Sequence, residues 1–242
     1  MNPTPTQRAI IRDGVAVGVA TGAYGISFGA ISVAAGLTVL QTCALSLLVF
    51  TGASQFALVG VVAAGGAPFS GAVTGLLLGT RNTLYGLRLA PLLGWTGWRR
   101  AGAAHLLIDE STAMSVTRET TEDARVGFLS TGLAVFALWN LATLGGALAG
   151  EALGDPRTYG LDAAVGGAFL ALLWPRLRDR HNQVTAVLAV ALALSLVPAA
   201  PAGVPVLAAA VVALGTGLLT RPAPDATEIP ARDDLAGGGE HP

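Results

Sequence analysis

The chain has no lysine, one cysteine and few charges of either sign: 14 arginines stand against 15 acidic residues in 242, and charged residues make up 12%. Each shortage removes a class of function. With no lysine, and with its arginines scattered along the chain, the sequence offers no basic face for a phosphate backbone, so no nucleic-acid partner is expected. Cys43 stands alone in an apolar run, which excludes an internal disulfide and a cysteine-rich metal site. There is no Gly-x-Ser-x-Gly, no Gly-Lys-Ser or Gly-Lys-Thr loop and no His-Glu-x-x-His, and histidines number three. No nucleotide motor, metal enzyme or cofactor is expected, and the chain is read as a non-enzyme.

What is present is apolar surface. Hydrophobic residues are 52% of the chain and mean hydropathy is +0.62, whereas a soluble domain carries about a quarter charged residues. The expected fold is all-α, a polytopic membrane helix bundle of seven to eight spans, some of them broken, solvated by a lipid bilayer. A span needs about 20 largely apolar residues, and such runs lie at 14–36, 40–63, 68–93, 126–149, 161–174, 184–197 and 201–219. The first run outlasts the apolar core of a signal peptide and is read as a retained span. Segment 101–116, which holds His105, Asp109 and Glu110, is either a broken crossing or a re-entrant one.

Arginine placement favours a crossing there, because basic residues accumulate on the cytoplasmic side. Eight crossings with both termini cytoplasmic put Arg8, Arg12, Arg118, Arg125, Arg176, Arg178, Arg180 and Arg221 inside, against Arg99, Arg100 and Arg157 outside. The organisation is then a cytoplasmic segment at 1–13, a transmembrane transport domain at 14–219 and a disordered cytoplasmic tail at 220–242, rich in proline, glycine and acid. No internal repeat stands out. Gly18 and Gly22, like Gly25 and Gly29, are four apart, a spacing that suits close helix packing; a helix break at 25–29 is the alternative.

Three polar insertions interrupt these runs: Thr51-Gly52-Ala53-Ser54-Gln55, Arg81-Asn82-Thr83 with Tyr85 and Arg88, and Asp109-Glu110-Ser111. An arginine at mid-span costs roughly 2.5–3.5 kcal/mol on insertion scales, so Arg81 needs a partner or a water-filled cavity. Arg81, Tyr85 and Arg88 share one helix side, with Arg88 near enough to the end to snorkel. Asp109 and Glu110 are about 100° apart on a helix, so only one faces a given neighbour. His105, four residues before Asp109, is placed to share a proton with it or to sit at the interface. Gly52, Ser54 and Gln55 are suited to backbone contact with a ligand, or to helix–helix hydrogen bonding. Trp139-Asn140 is a candidate fourth wall, Asn140 serving equally as helix glue.

At these residues the sequence resembles the AzlC-type large subunit of two-component branched-chain amino acid exporters, the LIV-E permeases. The resemblance rests on Phe50-Thr51-Gly52-Ala53-Ser54-Gln55-Phe56, on Arg81 with Leu84-Tyr85-Gly86 and Leu89-Ala90-Pro91, and on Asp109-Glu110-Ser111. Two positions depart from the family pattern: Gly79 stands where an asparagine is usual and Asn82 where a histidine is. The resemblance implies export of branched-chain or similarly apolar amino acids across the cytoplasmic membrane, driven by an ion gradient, together with a small AzlD-type membrane subunit. The substrate-binding set is then Gly52, Ser54, Gln55, Arg81, Asn82, Tyr85, Asp109 and Glu110. Arg81 would bind the substrate carboxylate, Asp109 or Glu110 would bind the ammonium group or, as proton-coupling candidates, carry the proton, and Phe56 and Leu84 would receive the side chain. The rival readings are a non-transporting membrane scaffold and, more distantly, a hydrolase built on Ser54 and His105.

Overall fold

The computed structural model describes residues 3–153, 170, 173–200 and 204–219. The tail at 220–242 and nearly all of the run at 161–174 lie outside them. Helix α1 (Pro5–Ala34) opens on a capping box, in which Gln7 N donates to Thr4 Oγ1 at 3.2 Å and Thr4 N donates to Gln7 Oε1 at 3.1 Å. It therefore takes in most of the segment at 1–13. Helix α7 (Thr121–Leu153) is the longest, at 33 residues, and with α1 is long and apolar enough to cross a bilayer.

The glycine stripe of α1 lies directly on α7. A Cβ on Gly14 would meet Ser130, one on Gly18 would meet Ala134, one on Gly22 would meet Leu138, and one on Gly29 would run into the Thr143 carbonyl. Residue numbers rise together along this seam, so α1 and α7 are parallel. The close-packing reading of the glycines holds, and α1 runs unbroken through 25–29. Helix α4 (Pro68–Leu93) runs the other way: Arg125, in the second turn of α7, donates from Nε to the Leu93 carbonyl at 2.8 Å. Its 26 residues extend about 39 Å, so Pro68 lies at the far, C-terminal end of α7.

Between these spans are two broken segments, and both return to the end they came from. Helix α2 (Val39–Leu48) starts where α1 ends and descends until Ser46 Oγ donates to Thr143 Oγ1 at 3.4 Å. The chain then breaks at Val49-Phe50-Thr51, β-branched and aromatic residues followed by glycine, all poor helix formers. Val49 and Thr51 leave helical geometry, at φ −112°, ψ 62° and φ −146°, ψ 97°. Helix α3 (Gly52–Ala63) climbs back along α4, with Ser54 under Gly75 and Leu58 under Gly71.

The second break mirrors the first from the opposite end. Helix α5 (Gly97–His105) starts beside the N-terminal half of α7, where Trp95 meets Phe128 at a ring separation of 5.8 Å. It rises to mid-bundle, where the His105 ring lies 5.5 Å from Phe136. Helix α6 (Asp109–Val116) descends again, bringing Met114 against Gly127.

These contacts correct the crossing expected at 40–63 and the one preferred at 101–116: each is a re-entrant pair of half-helices. They also reveal a structural repetition that the sequence does not display, of the inverted kind found in transporter folds. Arg99 and Arg100, expected on the opposite side from Arg8, Arg12, Arg118 and Arg125, instead share their end of the bundle. The connections at the other end, 35–38 and 64–67, carry no charge. Helices α8 (Arg180–Leu196) and α9 (Val204–Leu219) pack as a pair, with Thr185 Oγ1 donating to Thr216 Oγ1 at 3.1 Å.

An aromatic core of Phe28, Phe56 and Trp139, with centroids 5.4–6.3 Å apart, fills the space above the two tips. The outer faces are apolar instead of charged: Val19, Leu76, Leu84 and Leu141 are all more than half exposed. A bilayer accepts such a surface and water does not.

Candidate functional site

The two re-entrant tips meet at a cavity of about 310 Å³, walled by α1, α4 and α7. From the first tip come Thr51, Gly52 and Ala53, and from the second Ile108, Asp109 and Glu110. Helix α4 contributes Arg81 and Asn82, α1 contributes Thr21 and Tyr24, and Phe56 and Trp139 line the apolar side.

Both tips present a helix N-terminus to the same space. Such an end carries about half a positive charge and amides with no partner in their own helix. At α3 these amides belong to Gly52 and Ala53, with no acidic residue in the first turn and no side-chain cap from Thr51. The Thr51 Oγ1, buried there, has no hydrogen-bond partner among the described residues. At α6 the first two helical residues are Asp109 and Glu110 themselves. One tip is electropositive and the other carries two carboxyl groups.

Arg81 answers one of them, its Nη1 lying 3.1 Å from Asp109 Oδ2 with both side chains partly exposed to the cavity. Glu110 forms no ion pair among the described residues and accepts a long, 3.4 Å hydrogen bond from Thr21 Oγ1. The second tip is held by Ser111, whose Oγ accepts from Ile108 N at 3.1 Å and donates to the Leu106 carbonyl at 2.8 Å. Asn82 Nδ2 donates to the Leu107 carbonyl at 3.2 Å, while its buried Oδ1 and the Trp139 Nε1 have no hydrogen-bond partner among the described residues.

Gly52, Arg81, Asn82, Asp109 and Glu110 thus line the cavity, while Ser54, Gln55 and Tyr85 do not. Ser54 is turned beneath α4, and Gln55 donates from Nε2 to the Leu45 carbonyl at 3.2 Å, tying α3 to α2. Leu84 is on the outer surface, and Arg88 is exposed. His105 packs against Phe50 and Phe136, and the break at 106–108 ends the helical spacing that put it on the face of Asp109. No hydrogen bond joins Ser54 to His105 among the described residues, which leaves the hydrolase without its pair. Trp139 is the fourth wall; Asn140 donates from Nδ2 to Phe136 O in its own helix at 2.8 Å. Thr21 and Tyr24 were not singled out from the sequence, and Thr51 was named in its polar insertion but not among the binding residues. The glycine stripe facing α7 is the signal that would have found Thr21 and Tyr24, since it fixes which side of α1 is left for the cavity.

A polar cavity at mid-bundle, closed by half-helix tips from both ends under an apolar exterior, defines a membrane protein of transporter type. The profile of the AzlC family, described as AzlC protein, matches residues 16–153, more than half of the chain, and the chain belongs to that family. Uncharacterized membrane proteins of two Helicobacter pylori strains, 26695 and J99, are 26% and 25% identical to it over 172 residues, covering 70% of this chain and 75% of theirs. No solved structure matches the chain.

Proposed function

We propose that the protein is a secondary exporter of branched-chain or similarly apolar amino acids, coupled to an ion gradient, and the large subunit of a two-component permease with a small AzlD-type membrane partner. The observation that carries this reading is the electrostatic difference between the two tips across one cavity. The bare N-terminus of α3, with its Gly52 and Ala53 amides and the Thr51 hydroxyl, suits the substrate carboxylate. Glu110, with no arginine of its own, suits the ammonium group or the coupling proton, and Asp109 is occupied in holding Arg81. Phe56 and Trp139 receive the side chain. An apolar wall separates substrates by only about 1–3 kcal/mol per methylene, so valine, leucine and isoleucine are poorly distinguished.

In this reading the arginine-rich end, and the N-terminus with it, faces the cytoplasm of the cell. Six basic residues of that end obey the positive-inside bias, and the opposite connections at 35–38 and 64–67 hold no basic residue. Efflux of labelled leucine from loaded membrane vesicles tests the proposal. Wild-type protein is expected to accelerate efflux, and Arg81→Ala and Asp109→Asn to slow it by disrupting the second tip. Efflux equal to that of empty vesicles would overturn the exporter reading, and unchanged efflux in both variants would overturn the residue roles.

A further inference from the structure

A second cavity, of about 390 Å³, lies between α4, α5 and α7 on the arginine-rich side of the first. Asn82 is the residue that lines both. The walls are mostly apolar, formed by Leu89, Leu93 and Phe128, while Arg100 and Thr83 add a guanidinium and a hydroxyl to the lining. What separates the two spaces is the break between α5 and α6, where Asn82 Nδ2 bonds the Leu107 carbonyl.

We propose that this cavity is the entry vestibule of the permeation path, taking a small zwitterionic amino acid from the arginine-rich end, and that the Asn82–Leu107 hydrogen bond is the latch between vestibule and central site. The ligand class rests on the exporter reading; the vestibule and latch rest on geometry. The space falls within the volume range of small-molecule pockets, apolar with a few polar groups. Arg100 meets a carboxylate, and the apolar walls accept an apolar side chain. The latch is one hydrogen bond to a carbonyl in a helix break, where no helical ladder fixes the backbone. Asn82 holds it with half of its amide; the buried Oδ1, without a partner among the described residues, is available to an ammonium group passing from one space to the other.

Single cysteines placed in a Cys43→Ala chain test this in sealed membrane vesicles with a membrane-impermeant thiol reagent. Thr6→Cys, exposed at the start of α1, marks the arginine-rich side. Thr83→Cys and Ala104→Cys are expected to react from the side that labels Thr6→Cys and to be protected by leucine. Asn82→Ala is expected to speed labelling of Thr21→Cys, in the central cavity, from that side by about two- to tenfold, the scale of one net hydrogen bond. Labelling of the vestibule cysteines by a lipid-soluble reagent alone would show a lipid-facing groove and overturn the vestibule. An unchanged rate at Thr21→Cys in folded Asn82→Ala protein would overturn the latch. Same-side labelling without leucine protection, in protein that exports leucine, would overturn the ligand. If the wild type moves no amino acid while labelling persists, the exporter reading fails and the vestibule stands as an aqueous entry.

Discussion

The two re-entrant tips have the same build and opposite chemistry. Each is a half-helix that starts at mid-bundle, with its first four positions filled by Thr51-Gly52-Ala53-Ser54 in one and Ile108-Asp109-Glu110-Ser111 in the other. In the first, residues one and two of the helix leave the dipole bare; in the second they carry two carboxyl groups. The serine at position three is turned into the contact with α4 in the first and pins the break in the second. Similar backbones therefore give an anion-seeking and a cation-seeking surface, and the difference resides in two side chains per tip.

The comparison breaks most sharply at Glu110. Glu110→Gln keeps the shape and removes the charge, and is expected to cut leucine efflux by about a hundredfold, within the range for losing a positioned proton-transfer group. Efflux within twofold of wild type would remove the second tip from the mechanism. Making the tips alike is the next test. Ala53→Asp adds a carboxylate to the bare end and should raise the apparent KM for leucine by about tenfold, or about 1.4 kcal/mol. An acid there favours the helix itself by about 0.3–1 kcal/mol, so a lowered melting temperature would mean misfolding instead.

Arg81→Ala leaves Asp109 without its arginine and is expected to cost about 2 kcal/mol. Arg81→Ala with Asp109→Asn should recover at least half of that, because losing both partners is milder than orphaning one. Thermal melts in detergent give the comparison, and a double variant no more stable than the single would deny the coupling. The smallest contrast is between the serines. Ser111→Ala removes the pin of its break and should cost about 1–3 kcal/mol, whereas Ser54→Ala should leave both stability and efflux nearly unchanged. Equal effects would mean that the two tips are held alike.

Much of this was legible in the chain. Polar residues stranded in apolar runs located both tips and α4, because a bilayer leaves few other reasons for Arg81, Asp109 and Glu110 to be there. The facing of each residue was less legible. Ser54 is two positions past Gly52, so α3 turns it roughly 200° away, whereas Gln55 lies about 60° from Gly52 and is drawn off by the Leu45 carbonyl it binds. Tyr85 is one turn below Arg81, beyond the tip. Re-entry was invisible to hydropathy, since 40–63 is apolar enough to span and only contacts with α4 and α7 show that it turns back. The same error put Arg99 and Arg100 on the wrong side. The break at 106–108 is Leu-Leu-Ile, with no glycine or proline to mark it; it exists because Ser111 and Asn82 satisfy its backbone groups.

The glycine seam between α1 and α7 sets an order of events during synthesis. Gly14 waits for Ser130 and Gly18 for Ala134, 116 residues later in each case. At about 5–20 residues per second, α1 spends roughly 6–23 s in the membrane with its bare backbone stripe unmatched. Both re-entrant pairs are made in that interval, before the α7 wall they settle against has emerged. A bulky residue at Gly22 or Gly25 should accordingly register in pulse-chase labelling as chains degraded soon after synthesis, leaving fewer finished molecules in the membrane.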